Sequence, residues 1–293
     1  MKNTTLLFFV FVIGLTQVNA QSDSIPSKNL FDMSLEELMN VKIEVASKHR
    51  EKVETAPASV TVYSQYEIQQ LGVRTITELL NYVPGFMTSR ALFDGNFERI
   101  TVRGANEKTS ESILILIDGV RINNHYRGGT SMINRLIAIE NVKQVEIIRG
   151  PGSSLYGSNA FLGVINIITN ELQTNFSSKV GNLGSVELAS NFSKKHKGLL
   201  VNGFMKAFSD KGYKYSNITD LNGSNSDTKD PKRGFDLYTG LRYKKLSLKL
   251  RHTEREVNDF LPWGFLGNSI NSENTGSTSI IVKTEMVSTE KAF

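Results

Sequence analysis

The sequence predicts a small α+β domain, a mixed sheet with short helices, followed by antiparallel transmembrane β-strands that begin a barrel without closing it. Three observations carry this reading. Residues 142–169 hold two β-rich runs, Val142–Ile148 and Gly163–Thr169, around a Gly/Ser loop, Arg149–Asn159. After residue 170 the pattern changes to period-two alternation, apolar on one face and polar on the other. The connections between those alternating runs are short and long by turns, as in outer-membrane barrels.

The chain has 293 residues, enough for two domains. It is 39% hydrophobic and 22% charged, which excludes a disordered chain and a helical membrane protein. It has no cysteine, so thiolate metal sites, Cys nucleophiles and disulfides are excluded. The net charge of +5 arises after residue 170, where lysine predominates, whereas residues 53–169 balance and favour arginine. No basic stripe with interleaved aromatics accompanies it, so nucleic acid is not an expected partner. The lysine excess is expected to solvate hairpin turns and loops.

Lys2, the apolar run Leu6–Leu15 and Val18-Asn19-Ala20 form the three regions of a secretory signal peptide, residues 1–20. The run is too short for a membrane helix, which needs about 20 apolar residues. Residues 21–52 are mostly polar. Ser34-Leu35-Glu36-Glu37 offers a capping box, and Ile43-Glu44-Val45-Ala46-Ser47 is an isolated β-prone pentapeptide before the basic run Lys48–Lys52.

The compact domain spans 53–169. Ala58–Tyr63 reads as a strand. Gln65–Leu71 and Thr75–Asn81 read as short helices parted by Gly72 and closed by Pro84-Gly85. Arg99–Val102 is a strand. Ile113–Ile117 is continuously apolar and predicts a strand covered on both faces, with Asp118-Gly119 turning into Val120-Arg121-Ile122. The glycine loop at 149–159 is not a nucleotide loop: Leu155 stands where a third glycine would, no GK[ST] follows, and a strand comes after it.

Residues 170–293 predict about six strands. Val186, Leu188 and Phe192 alternate with Glu187 and Asn191. Phe235, Leu237, Leu241 and Tyr243 alternate with Asp236, Tyr238 and Arg242. Leu246, Leu248 and Leu250 alternate with Ser247, Lys249 and Arg251, and Ile280 and Val282 continue the pattern. Phe192 and Tyr243 near short turns, and Phe235 near a long loop, suit aromatic girdles. A soluble sandwich has the same alternation with its apolar face inside; the connection lengths favour the barrel. Even the smallest barrels need about 8 strands, so the chain reads as the N-terminal part of a larger protein. Asp220-Leu221-Asn222-Gly223-Ser224 lacks the glycine and the closing Glu of a calcium loop and reads as a polar loop.

Val145-Glu146, Ile148-Arg149-Gly150-Pro151, Ser154, Tyr156-Gly157-Ser158, Ala160 and Gly163–Thr169 together resemble the C-terminal plug signature of TonB-dependent outer-membrane receptors. Ala56–Val60, Thr77–Leu80, Val83-Pro84-Gly85, Ile100–Gly104 and Leu116–Val120 follow in that family's order, closest to its vitamin B12, colicin I and catecholate-siderophore branch. The resemblance implies a receptor in the outer membrane, in contact with its lipid. It would take up a ferric siderophore or cobalamin without covalent chemistry, metal site or cofactor, and its partner would be a TonB-type energy-coupling protein. Ile43, Glu44, Val45, Ala46 and Ser47 would be the TonB box, pairing by strand addition; a first strand of the plug sheet is the other reading. Arg90, Phe93, Asp94 and Asn96 in one loop, and His125, Tyr126 and Arg127 in another, would face the ligand. Arg103 and Arg149 would hold carboxylates of the barrel wall; salt bridges within the domain or at its surface are the other reading. A periplasmic binding or signalling module with a soluble β domain, and a carbohydrate cargo, stand as alternatives.

Overall fold

The computed structural model describes residues 42–43, 51–52, 59–90, 98–105, 110–124, 128–129, 133–258, 261, 265–266 and 272–284. The expected signal peptide and the capping box at Ser34 lie outside them. Strands β1 (Lys42–Ile43) and β2 (Glu51–Lys52) form a two-residue antiparallel ladder ahead of the domain.

Strand β3 (Val60–Ser64) runs directly into helix α1 (Gln65–Gln70). The switch is local: Ser64 Oγ accepts from the Glu67 N–H, and the Glu67 carboxylate accepts from the Ser64 N–H at 2.7 Å, a closed capping box. Helix α2 (Ile76–Leu80) is capped by Thr75 and buries Ile76, Leu79 and Leu80. Strands β4 (Phe86–Arg90) and β5 (Glu98–Val102) pair as a hairpin. Then come β6 (Ile113–Ile117), β7 (Val120–Arg121), α3 (Ile133–Leu136), a 3₁₀ turn at Ile139–Asn141, β8 (Val142–Ile148), α4 (Ser153–Tyr156) and β9 (Gly163–Thr169).

One five-stranded sheet runs in the order β3-β8-β9-β6-β7. The β6–β9 pair is parallel and the rest antiparallel, so the sheet is mixed, as expected. All five residues of β6 are buried, so this strand is covered on both faces. Its alternate sides feed two apolar clusters: Ile113, Ile115 and Ile117 pack with Leu79, Leu80 and Ile147, while Leu114 and Leu116 pack with Ile148, Ala160 and Val164. The loop at 149–159 differs from the expected plain turn by holding α4. The N–H groups of Leu155 and Tyr156 both close on the Gly152 carbonyl, at 3.1 and 3.0 Å. Gly152 has to be glycine there, because a Cβ would stand 2.7 Å from a Val164 methyl.

The second sheet holds β10 (Asn175–Val180), β11 (Val186–His196), β12 (Leu199–Asp210), β15 (Lys232–Tyr243), β16 (Leu246–Asn258) and β17 (Ser272–Thr284), antiparallel and paired in that order. A side hairpin of β13 (Lys214–Thr219) and β14 (Asn225–Lys229) fills the long β12–β15 connection, where the sequence predicts only a loop. Six main strands are present, and among the described residues β10 and β17 each pair on one side only. Strands β11, β12, β15, β16 and β17 are 11 to 13 residues long. A tilted membrane strand needs about 9–11. The turns Lys197-Gly198 and Lys244-Lys245 sit at one end of the sheet and the long connections at the other.

The two faces of this sheet differ as the alternation predicts. Leu237, Leu241, Leu246, Leu248 and Leu250 are 36–52% exposed and point away from the first domain, and Ile280 and Val282 project on the same side. Asn202, Phe204, Lys206, Asp236, Tyr238, Thr253 and Arg255 point the other way and are buried. The leucines therefore do not fill a protein centre. Tyr243 stands exposed at the short-turn end, with the Lys244 ammonium 5.4 Å from its ring, and Phe235 packs 5.4 Å from the His252 ring toward the other end. Phe192 lies over Gly203, where any Cβ would collide with its ring.

Candidate functional site: the polar seam between the first domain and the sheet

Among the described residues, a small buried apolar cluster and two ionic clusters join the first domain to the sheet. The apolar part is Ala138 against Ala189, Phe204 and Tyr238. The polar contacts beside it are directional, and they fix how charged groups of the two parts are matched.

The first cluster is built on Glu140, carried by the 3₁₀ turn that feeds β8. Lys206 of β12 and Lys179 of β10 reach its two oxygens at 2.8 and 2.6 Å. Glu187 of β11 closes the square, 2.9 Å from Lys206 and 2.8 Å from Lys179. Two cations and two carboxylates alternate, so each charge has two neighbours of opposite sign. The Lys206 and Glu140 side chains are only 9% and 12% exposed. Burial works against the Glu140 charge. The Lys206 ammonium and the hydrogen bonds from both lysines outweigh it, and the carboxyl is pushed down to about 2.

A carboxylate depressed in the folded state adds stability above its ordinary value of 4.5 and loses it as pH falls toward 2. Acidification between pH 4.5 and 2 is therefore expected to loosen this contact. The melting temperature should fall across that window, and Glu140→Gln should remove the part of the fall that belongs to the cluster. An unchanged pH profile in Glu140→Gln would speak against it.

The second cluster is built on Lys249 of β16. Its ammonium lies 3.1 Å from Asp118 and 2.7 Å from Glu171, and 6.0 Å from the Tyr238 ring centre. Asp118 occupies the β6–β7 turn with φ of +51°. Its carboxylate also accepts from the Thr169 N–H at 3.0 Å and the Thr169 hydroxyl at 2.8 Å. One acid thus ties a turn of the first domain, the end of its last strand and the wall. Glu171 lies in the linker and takes a further bond from the exposed Arg242 at 2.7 Å. Deeper on the wall, Arg255 bridges both oxygens of Asp236 at 2.7 and 2.6 Å and stacks 4.9 Å from the Phe208 ring.

The sequence reading expected arginines of the first domain to reach carboxylates of the wall. Among the described residues the polarity is reversed: acids of the first domain meet lysines of the wall. Arg103 is exposed, and its guanidinium donates to the Arg149 carbonyl at 2.7 Å, so these two residues join the end of β5 to the end of β8. Neither reaches a carboxylate of the six strands. Lys206 and Lys249 also correct the expectation that the lysine excess solvates turns and loops. Both sit within strands, on the face turned to the first domain. Their signal was present in the sequence as lone lysines inside β-prone runs, GFMKAF and LSLKL.

Of the expected ligand residues, Arg90 ends β4, its backbone paired with Glu98. Phe93, Asp94, Asn96, His125, Tyr126 and Arg127 lie outside the described residues. Of the expected box, Ile43 pairs with Glu51 in the β1–β2 ladder, and Glu44, Val45, Ala46 and Ser47 lie outside the described residues. Asp220 is a loop organiser: one oxygen accepts from the Asn222 and Ser224 N–H groups at 2.8 Å, the other from the Leu266 N–H at 3.2 Å. Both oxygens are thus occupied by amides, as the reading of a polar loop requires.

Residues 52–164 match the family model described as the TonB-dependent Receptor Plug Domain. The vitamin B12 transporter BtuB of Vibrio vulnificus is 35% identical over 153 residues, which cover 52% of this chain and 24% of that protein. The vitamin B12 transporter BtuB of Vibrio cholerae is 31% identical over 186 residues, 61% of this chain and 30% of that protein. The chain thus spans a quarter to a third of the length of these curated relatives. Among solved structures, Pseudomonas aeruginosa FpvA bound to pyoverdines superposes with a TM-score of 0.57 at 15% identity, covering 74% of this chain and 28% of that one. The siderophore receptor PirA of Acinetobacter baumannii gives a TM-score of 0.52 at 21% identity, covering 70% and 32%. At these identities the structures establish the fold.

Proposed function

From a chain that belongs to the TonB-dependent receptor family and carries its plug domain at residues 52–164, we propose an outer-membrane receptor that takes up a scarce ligand using energy delivered by a TonB-type protein. The observation that carries this reading is the division of faces in the second sheet. Its charged face closes on the plug through Lys206 and Lys249, and its leucine face turns outward, where a bilayer would meet it. No step of this task requires covalent chemistry. The plug is a gate, and what it needs is a seam that holds at rest and yields under load.

Cobalamin is the first cargo to test, because the sequence relatives named above are vitamin B12 transporters; ferric siderophores come second. The pentapeptide Ile43–Ser47 is the proposed TonB box, offering main-chain donors and acceptors to the coupling protein's edge. Arg90, Phe93, Asp94, Asn96, His125, Tyr126 and Arg127 are the proposed ligand-facing residues. Arg103 and Arg149 are proposed to meet wall carboxylates beyond the six strands. Export through a cleaved signal peptide at residues 1–20 belongs to the same proposal.

The experiment is uptake of labelled cyanocobalamin, and in parallel of a ferric siderophore, by cells expressing the gene, with and without a proton uncoupler. Accumulation that the uncoupler abolishes is the expected result, and Val45→Pro should abolish it without lowering surface binding. Accumulation unaffected by the uncoupler, or the protein recovered in the soluble periplasmic fraction, would favour the rival periplasmic module.

A further inference from the structure

Between the plug edge and the wall lies a cavity of about 470 Å³. One side is the plug segment 120–124 with Leu136. The other is the plug-facing side of β16 and β17, contributing Arg251, Ser277, Ser279 and Ile281. Two cations line it, Arg121 and Arg251, and among the described residues no Asp or Glu does.

The polar groups around this space are unequally used. The Asn123 amide is spent, accepting from the Ile115 N–H at 2.9 Å and donating to the carbonyls of Ile113 and Gly128. Arg121 spends part of its guanidinium on Ser158. Ser279 Oγ, by contrast, is buried without a hydrogen-bond partner. Arg251, half-buried, lies in the field of the Asp118 and Asp236 carboxylates but has no hydrogen bond or close ion pair among the described residues. Arg251 and Ser279 are direct cross-strand partners, so their side chains leave the sheet side by side on one face. A guanidinium without a hydrogen-bond acceptor next to a buried hydroxyl without a partner leaves donors unmet unless something occupies the space. A guanidinium fork with a hydroxyl donor suits the paired oxygens of a carboxylate or phosphate. Arg251 is the sixth of the thirteen residues of β16. It therefore stands about 17 Å from the short-turn end at ~3.3 Å per residue, near mid-depth of the wall.

We propose that this cavity is an anion subsite, in which Arg251, Arg121 and Ser279 hold a carboxylate or phosphate group of a solute lying between plug and wall. Binding stands on the geometry alone. That the anion belongs to a transported solute rests on the receptor reading above.

The chain has no cysteine, so Ser279→Cys places a single thiol inside the cavity. In the full chain in membranes, that thiol should react with an anionic methanethiosulfonate faster than with a cationic one, on the order of tenfold or more. Arg251→Gln in the same background should bring the ratio toward one, and Arg251→Lys should keep most of it. Inorganic phosphate slowing the labelling assigns a phosphate site, and citrate slowing it assigns a carboxylate site. Equal rates for both reagents, a ratio that survives Arg251→Gln, no labelling, or no protection by either anion would overturn the proposal. Failure of the receptor reading would look different: no energised uptake, with charge-selective labelling intact.

Discussion

Leu250→Arg is expected to cost about 2–4 kcal/mol of folding stability in phospholipid vesicles, the penalty for a cation on the lipid face near the bilayer midplane. Leu250 lies mid-strand in β16, between Thr239 of β15 and Ile280 of β17. It is 40% exposed, on the face turned away from the plug. In a soluble sheet such a position would tolerate arginine within about 0.5 kcal/mol, because water would solvate the guanidinium. In lipid there is no such solvent, and the backbone cannot move to offer one. Leu246→Arg, at the short-turn end of the same strand and the same face, is the control. It should cost only about 0–1 kcal/mol, because the side chain reaches the interface. Urea titrations of both variants in vesicles measure the difference. Equal costs at the two depths would mean that the leucine face does not meet acyl chains.

Lys206→Met should cost about 3–5 kcal/mol, the range for removing one partner of a buried ionic pair. The loss is large because it leaves two carboxylates, Glu140 and Glu187, with only Lys179, which is half exposed, to balance them. Adding Glu140→Gln to Lys206→Met should recover part of the loss, because the orphaned charge is then gone; a double-mutant cycle measures that coupling. The exposed Arg242–Glu171 pair is the contrast. Arg242→Ala should change stability by less than about 1 kcal/mol. Proteolysis of the plug follows the same order if the cluster is what docks it. If Lys206→Met and Arg242→Ala prove equally mild, apolar contact at Ala138, Phe204 and Tyr238 holds the plug instead.

For the receptor proposed above, the polarity of the seam bears on how the first domain would be released. Both clusters join the wall to the side of the plug near β8 and the β6–β7 turn. The β4–β5 hairpin makes neither of these ionic contacts. In the receptor proposed above, a pull from the N-terminal side would enter the first domain through β3, which among the described residues pairs with β8 alone. β8 in turn begins next to Glu140. Load on β3 is thus one strand away from the first cluster.

The strands marked by alternation or by a continuous apolar run, their inward and outward faces and the glycine loop could be read in the sequence, because each is a short-range property; β4, β13 and β14 carry neither mark. Period two along Leu246–Arg251 fixes which side chains share a face whatever the partner strands are. The all-apolar Ile113–Ile117 likewise required cover on both sides. The partners across the seam could not be read. Glu140 and Lys206 stand 66 residues apart, and nothing near either names the other. They meet only because the register of β10, β11 and β12 sets Lys179, Glu187 and Lys206 on one face, and because the plug docks with its 3₁₀ turn above that square. Composition drew attention to the arginines of the plug, yet arginines at chain turns bonded to nearby carbonyls, as Arg103 does to Arg149. Local periodicity decided what each strand is. The alignment of distant strands decided which charges are buried together, since a buried charge is stable only where the whole fold brings its opposite within reach.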